Sequence, residues 1–199
     1  MKVLVACEFS GTVRDAFLAK GHDAVSCDLL PTESLGPHVQ GDVLELVARE
    51  SFDLMIAHPP CTHLAVSGAA WFAQKRADGR QQLALDFVRA LLDAPIPRIC
   101  LENPVSIISS AIQKPDQIVQ PWMFGHAERK TTCLWLKGLP RLRPTSNLKA
   151  ETNAKAASKQ NPLHYLPPSH DRWKLRSLTY PGIAAAMADQ WGCAGQILV

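Results

Sequence analysis

The sequence predicts an α/β fold built on a mostly parallel sheet. Three observations carry this: short apolar runs alternate with stretches of helical spacing, the first run closes on a glycine turn that opens a helix, and the runs end on chemically varied polar residues. Taken in order, the spacing predicts a strand over 3–6, the turn Cys7-Glu8-Phe9-Ser10-Gly11, and a helix over 13–20 closed by Gly21. A second strand over 24–27 ends at Asp28, and Gly41-Asp42-Val43 opens a short helix to about Arg49. A third strand over 53–57 ends at His58-Pro59-Pro60-Cys61. Apolar residues at 83, 84, 87, 88, 91 and 92 give helical spacing over 80–92, stopped by Pro95 and Pro97. Strands follow over 98–101, ending at Glu102-Asn103-Pro104, and over 131–136, where branched and aromatic residues gather. Residues 140–173 break the rhythm with Pro, Asn, Ser and Lys and read as a long functional loop or a partly disordered arm. From Tyr180-Pro181-Gly182 a final helix runs through 183–191.

At 199 residues the chain has the length of one domain. No stretch approaches the roughly 20 apolar residues of a membrane helix, and the opening run is too short for a signal peptide. The expectation is a soluble, cytoplasmic monomer that does not engage a membrane. Six cysteines are scattered without a CxxC pair, which points to reduced thiols. Cys7, Cys27, Cys100 and Cys133 lie in or at the end of apolar runs and read as small buried hydrophobes, whereas Cys61 follows two prolines at a strand end. Charge is uneven: residues 128–176 hold eleven Lys and Arg against three Asp and Glu, a local +8 in a chain of net +3. A surface of that sign tracks phosphates, and its binding weakens with salt.

In open α/β sheets ligands bind beyond the carboxyl ends of the strands, so the residues that follow each strand form one set. Gly11 alone is equally a tight-turn glycine. Asp28, at the end of the second strand, is placed for a ribose diol, and Asp42 is either an acceptor for an adenine amino group or a helix N-cap. Cys61 reads as a proline-stiffened nucleophile or a half-buried thiol, and Glu102 as a partner carboxylate or a solvated strand end. A thiol and a carboxylate on neighbouring strand ends, beside a nucleotide pocket, suit covalent chemistry on a heteroaromatic ring.

These residues, in this order, resemble the cytosine-5 DNA methyltransferase family. Phe9-Ser10-Gly11 resembles its first cofactor-binding motif, Asp28 its ribose acid and Gly41-Asp42-Val43 its adenine-contacting motif. Pro60-Cys61 resembles the catalytic Pro-Cys, Glu102-Asn103 the Glu-Asn that engages the base, and Arg129-Lys130-Thr131 the basic motif near the flipped base. The resemblance covers most of residues 1–136 and 176–192. It implies a Rossmann-like S-adenosylmethionine-dependent methyltransferase fold, with S-adenosylmethionine as cofactor and DNA as partner. It makes Cys61 the nucleophile and Glu102 its carboxylate partner. Cofactor contacts fall to Phe9, Ser10, Gly11, Asp28, Asp42, Pro59 and Pro60, and base contacts to Asn103, Arg129, Lys130 and His63. Only residues 138–175 stand where family members carry a target-recognition domain, which resembles short forms encoded by phages and prophages, including those of restriction-modification systems.

Alternatives share the fold or the partner. An xPPx loop at a strand end also occurs in amino-methyltransferases, which carry an aromatic residue where Cys61 stands. A DNA-binding module without catalysis is a second reading, and a metal held by Cys61, His63 and a distant His a third. His63 and Ser67 either line the base pocket or cap the loop, and Trp122, Trp135, His164, Tyr165, His170 and Trp173 include candidates for stacking on a base, with Trp135 at core spacing.

Overall fold

The computed structural model describes residues 1–158, 169 and 172–192. Its sheet has seven strands: β1 (Lys2–Ala6), β2 (Asp23–Asp28), β3 (His38–Gln40), β4 (Leu54–Ala57), β5 (Ile99–Pro104), β6 (Gln117–Val119) and β7 (Thr132–Lys137). Their spatial order is β3-β2-β1-β4-β5-β7-β6. Pairings from β3 through β5 are parallel, and β7 runs antiparallel to both β5 and β6. This is the α/β fold with a mostly parallel sheet that the sequence predicts.

Alternation along β1 decides what lies on each face. Leu4 and Ala6 pack into a core with Val43 and Leu46 of α2 (Val43–Arg49) and Leu85, Val88 and Leu91 of α4 (Arg80–Leu92). Val3 and Val5 face the opposite core, filled by Val13 and Phe17 of α1 (Thr12–Leu18) and by Ile183, Met187 and Trp191 of α8 (Pro181–Gly192). Covered on both sides, the central strands need continuous rather than alternating hydrophobicity, and β1 and β4 have it. Trp135, as its spacing predicts, is fully buried, and its indole N–H donates to the Gln113 carbonyl at 2.8 Å.

Two helices depart from the predicted bounds: α1 stops short of residue 20, and α8 starts at Pro181 rather than 183. α1 ends at Leu18, and Gly21 at φ 76° turns the chain toward β2. α8 begins against a tight contact, because a Cβ at Gly182 would stand 1.8 Å from the Phe124 carbonyl. The Gly182 N–H instead donates to His126 Nε2 at 2.9 Å, which seats the helix on the loop before β7.

Among the described residues of the stretch 140–173, a helix forms where the sequence predicts a long loop or a partly disordered arm. Helix α6 (Lys149–Ala157) forms within it, and Lys149 Nζ sits 5.7 Å above the Trp122 ring. Arg129 donates to Asn153 Oδ1 at 2.6 Å, and Glu128 faces Lys155 at 3.8 Å. A second helix, α7 (Arg172–Ser177), closes the stretch. Lys159, His164, Tyr165, His170 and Cys193 lie outside the described residues. Among the described residues, no helix is long and apolar enough to cross a membrane.

Candidate active site

The crossover direction reverses between β1 and β4, so a crevice opens beyond their carboxyl ends. A cavity of about 710 Å³ occupies it, within the size range of ligand sites. Its walls come from strand ends: Glu8, Phe9 and Ser10 after β1, His58 through Cys61 after β4, and Glu102 and Asn103 in β5. Arg129 and Lys130 enter from the approach to β7, and Trp173 and Arg176 from α7.

Sheet register fixes the centre of the site. Ala57 of β4 pairs with Leu101 of β5, so the next residues, His58 and Glu102, lie side by side. His58 Nδ1 is 3.2 Å from Glu102 Oε2, with side chains only 12% and 14% exposed. One residue further along β5, Asn103 is buried and donates from Nδ2 to the Pro59 carbonyl at 2.9 Å. Asn103 therefore holds the Pro59-Pro60 segment that presents Cys61. Beyond Cys61 the chain turns at once: the N–H groups of Leu64 and Ala65 both donate to the Cys61 carbonyl, at 3.0 and 2.8 Å. The Val66 N–H donates to the Val105 carbonyl and that of Ile107, just before the short helix α5 (Ile108–Ala111), to the Leu64 carbonyl, which staples this turn to the end of β5. Lys75, from α3 (Phe72–Ala77), adds a 2.6 Å hydrogen bond to the Thr62 carbonyl.

Electrostatics couples the two candidate catalytic groups. Cys61 is itself exposed, yet desolvation by the surrounding walls raises its thiol above the ordinary value and the negative charge of Glu102 adds to it, while a backbone hydrogen bond, Lys130 and Arg176 pull the other way. Burial also works against ionisation of Glu102, but the hydrogen bond and charge of His58, then Lys130 and Thr132, outweigh it and hold the carboxyl below its usual value. The resting pair is thus a thiol facing a carboxylate. Lys130 is itself pulled down by burial, although Glu102 and Cys61 favour its charge. Its ammonium donates to the Leu178 carbonyl at 2.7 Å.

The first turn is built around two buried charges. Glu8, 5% exposed, accepts the N–H groups of Val13 at 2.7 Å and Arg14 at 3.2 Å, so its carboxylate occupies the start of α1. Arg14 is fully buried and reaches Ser26, Thr32 and the carbonyls of Ser34, Leu35 and Pro37. That fan of bonds ties the 29–37 loop to α1. Phe9 packs against Trp173 of α7 at 5.8 Å between ring centroids, and Lys174 reaches Glu33 at 2.7 Å. Helix α7 is thereby held across the mouth of the crevice.

Most residues singled out in the sequence converge here. Cys61, Glu102, Phe9, Ser10, Pro59, Pro60, Asn103, Arg129, Lys130 and Ser67 line the cavity. Gly11, Asp28, Asp42 and His63 do not. Asp28 accepts the Leu30 N–H at 2.9 Å, and Asp42 is the N-cap of α2, accepting the Leu44 N–H at 2.8 Å. Each uses one carboxylate oxygen in these bonds. The two acids are neighbours, since the Gly41 N–H donates to the Asp28 carbonyl at 2.9 Å. His63 Nδ1 is buried without a partner among the described residues, and the His63 carbonyl accepts from Gln81. No group of three or more His, Cys, Asp or Glu among the described residues is arranged to hold a metal. The roles of His58, Arg176 and Arg14 were not legible in the sequence, because they depend on register and on contacts distant in the chain, and Glu8, although a strand-end residue, turns its carboxylate to the start of α1.

No protein-family profile matches the chain, and no curated protein matches it. Among solved structures, a prophage-encoded E. coli protein described as a proposed DNA modification methyltransferase is similar at 16% identity and a TM-score of 0.44. The similarity covers 68% of this chain and 46% of that one, so this chain spans less than half of that protein's length.

Proposed function

We propose that the protein is a DNA methyltransferase that acts on carbon 5 of cytosine through a covalent Cys61 adduct, with S-adenosylmethionine as cofactor. The observation that carries this reading is the convergence of Cys61 and Glu102, from adjacent parallel strands, on one cavity at the sheet's switch point. The reading also draws on the resemblance of the ordered strand-end motifs to the cytosine-5 enzymes.

The start of α1 bears on the cofactor. In dinucleotide-binding folds the N–H groups at this helix start receive a pyrophosphate. Here the Glu8 carboxylate already takes two of them, so a phosphate would meet a negative charge. A cofactor without phosphates and with a cationic centre is compatible, and S-adenosylmethionine has both properties. Phe9, Ser10, Pro59 and Pro60 form the wall on that side; Asp28 and Asp42 stand outside this lining, each with one carboxylate oxygen beyond its backbone bond, and would meet the nucleoside where it extends past the cavity. When bound, this cofactor supplies an electrophilic methyl group.

The residues then divide the remaining work. The target base must leave the stack before its ring can be reached, at a cost of a few kcal/mol. Glu102, ionised at rest, accepts the proton that Cys61 sheds and delivers it to N3 of the base, as the sulfur bonds to carbon 6. Neutralising Glu102 removes one of the charges that hold Cys61 in its thiol form. The ring becomes an enamine whose carbon 5 takes the methyl group. Loss of the carbon-5 proton to solvent, elimination of Cys61 as the thiolate and return of the N3 proton to Glu102 restore the aromatic base, and passage of that proton from Glu102 back to Cys61 restores the resting thiol and carboxylate. Arg129 and Lys130 supply positive charge around it. The whole chain serves as one catalytic domain, with 138–175 in place of a recognition domain, which predicts a short or relaxed target.

The test is incubation of wild type and Cys61→Ser with labelled S-adenosylmethionine and mixed-sequence double- and single-stranded DNA, followed by nucleoside separation. Label in 5-methylcytosine that disappears in the variant supports the proposal. Label in an N-methylated base assigns the site to amino-methyl transfer, and DNA binding without label assigns it to a non-catalytic binding protein.

A further inference from the structure

His58 lines the cavity and has no part in the chemistry above, yet its position is held from two sides. Its N–H donates to the Ala6 carbonyl at 2.9 Å, and the register of β4 on β5 sets it beside Glu102. An ionised carboxylate only accepts hydrogen bonds, so Nδ1 carries the proton in the 3.2 Å contact with Oε2. Nε2 is buried and has no partner among the described residues. A histidine kept for packing alone would be replaceable by an apolar side chain that leaves no such atom unsatisfied. Three other polar groups bear on the same carboxyl: Lys130 and Thr132 from the β7 side and Cys61 from the loop after β4.

We infer that His58 is a positioning residue for Glu102: its Nδ1–H fixes Oε2 and so orients the carboxylate in the cavity. Placing this donor just after β4, in the cavity wall beside Glu102, restricts the carboxylate's rotation. The same bond stabilises the ionised form in which Glu102 accepts the thiol proton. The inference rests on the cytosine-directed reading for its catalytic consequence, but the pairing itself does not.

The test follows the Glu102 carboxyl carbon by NMR through a pH titration of ¹³C-glutamate-labelled wild type, His58→Ala and His58→Asn, with Glu102→Gln identifying the signal. Methyl transfer to cytosine is measured with the same unlabelled proteins. In His58→Ala the carboxyl midpoint rises and kcat falls by about 100-fold, the scale of a misplaced catalytic group, with KM for DNA near the wild-type value. Asn presents an N–H near the Nδ1 position, so His58→Asn recovers part of kcat. An unmoved midpoint in His58→Ala, or wild-type turnover in that variant, overturns the inference. If wild type transfers no methyl group to cytosine, the reaction assignment fails, while the midpoints still decide whether His58 holds Glu102.

Discussion

At Glu102, burial and charge pull in opposite directions. Burial favours the neutral acid, whereas His58, Lys130 and Thr132 favour the carboxylate and prevail, so the folded value lies below the ordinary 4.5. A depressed carboxyl contributes stability that is complete above its ordinary value and is lost as pH falls through the folded one. Urea midpoints of wild type should therefore decline more steeply below pH 4.5 than those of Glu102→Gln; parallel curves would contradict this account. Cys61 and Glu102 were legible in the sequence because each follows an apolar run at a strand end, and strand ends on one edge of a parallel sheet converge. His58 was not, although it stands three residues before Cys61. Its partner is 44 residues away, and only the pairing of Ala57 with Leu101 brings the two together. For Asp42 both readings, N-cap and ligand acceptor, were visible in the sequence, and the structure realises the cap with one oxygen while leaving the other.

Among the elements, the β1–α1 turn is the most tightly determined. Gly11 has φ 77°, and a Cβ there would lie 2.4 Å from Nη2 of the buried Arg14. Gly11→Ala strains the backbone and displaces the guanidinium that gathers the 29–37 loop. The expected cost is about 1–3 kcal/mol in urea unfolding, and a loss well below that would mean the turn adapts freely. Helix α4 was readable over its full extent because six apolar positions recur at its period. Strands β3 and β6 were not, since three residues give no alternation to detect. Helix α6 escaped for a different reason. Its Lys-Ala-Glu-Thr-Asn-Ala-Lys-Ala-Ala sequence has helix propensity but no apolar stripe, and it is seated instead by Thr152, by Lys149 on Trp122 and by Arg129 on Asn153.

Over the whole molecule, part of the basic excess visible in the sequence lies at or beside the candidate site. Arg129, Lys130 and Arg176 line the cavity, and Lys149 and Lys155 lie on α6, which Arg129 touches. Such a surface ties DNA affinity to salt, with log K falling linearly in log salt by about 0.9 for each phosphate neutralised. Arg129→Gln should lower that slope by about 0.9, measured by fluorescence anisotropy across a salt series. An unchanged slope would remove Arg129 from the phosphate contacts. The central claim is the covalent step, in which Cys61 bonds the base and departs only when the carbon-5 proton is lost. The most direct measurement is intact mass spectrometry after incubation with S-adenosylmethionine and DNA bearing 5-fluorocytosine, whose fluorine cannot leave as a proton. A protein–DNA adduct that survives denaturation and maps to Cys61 is the predicted result. Methylation of ordinary DNA with no trapped adduct, or an adduct that persists in Cys61→Ser, would contradict it.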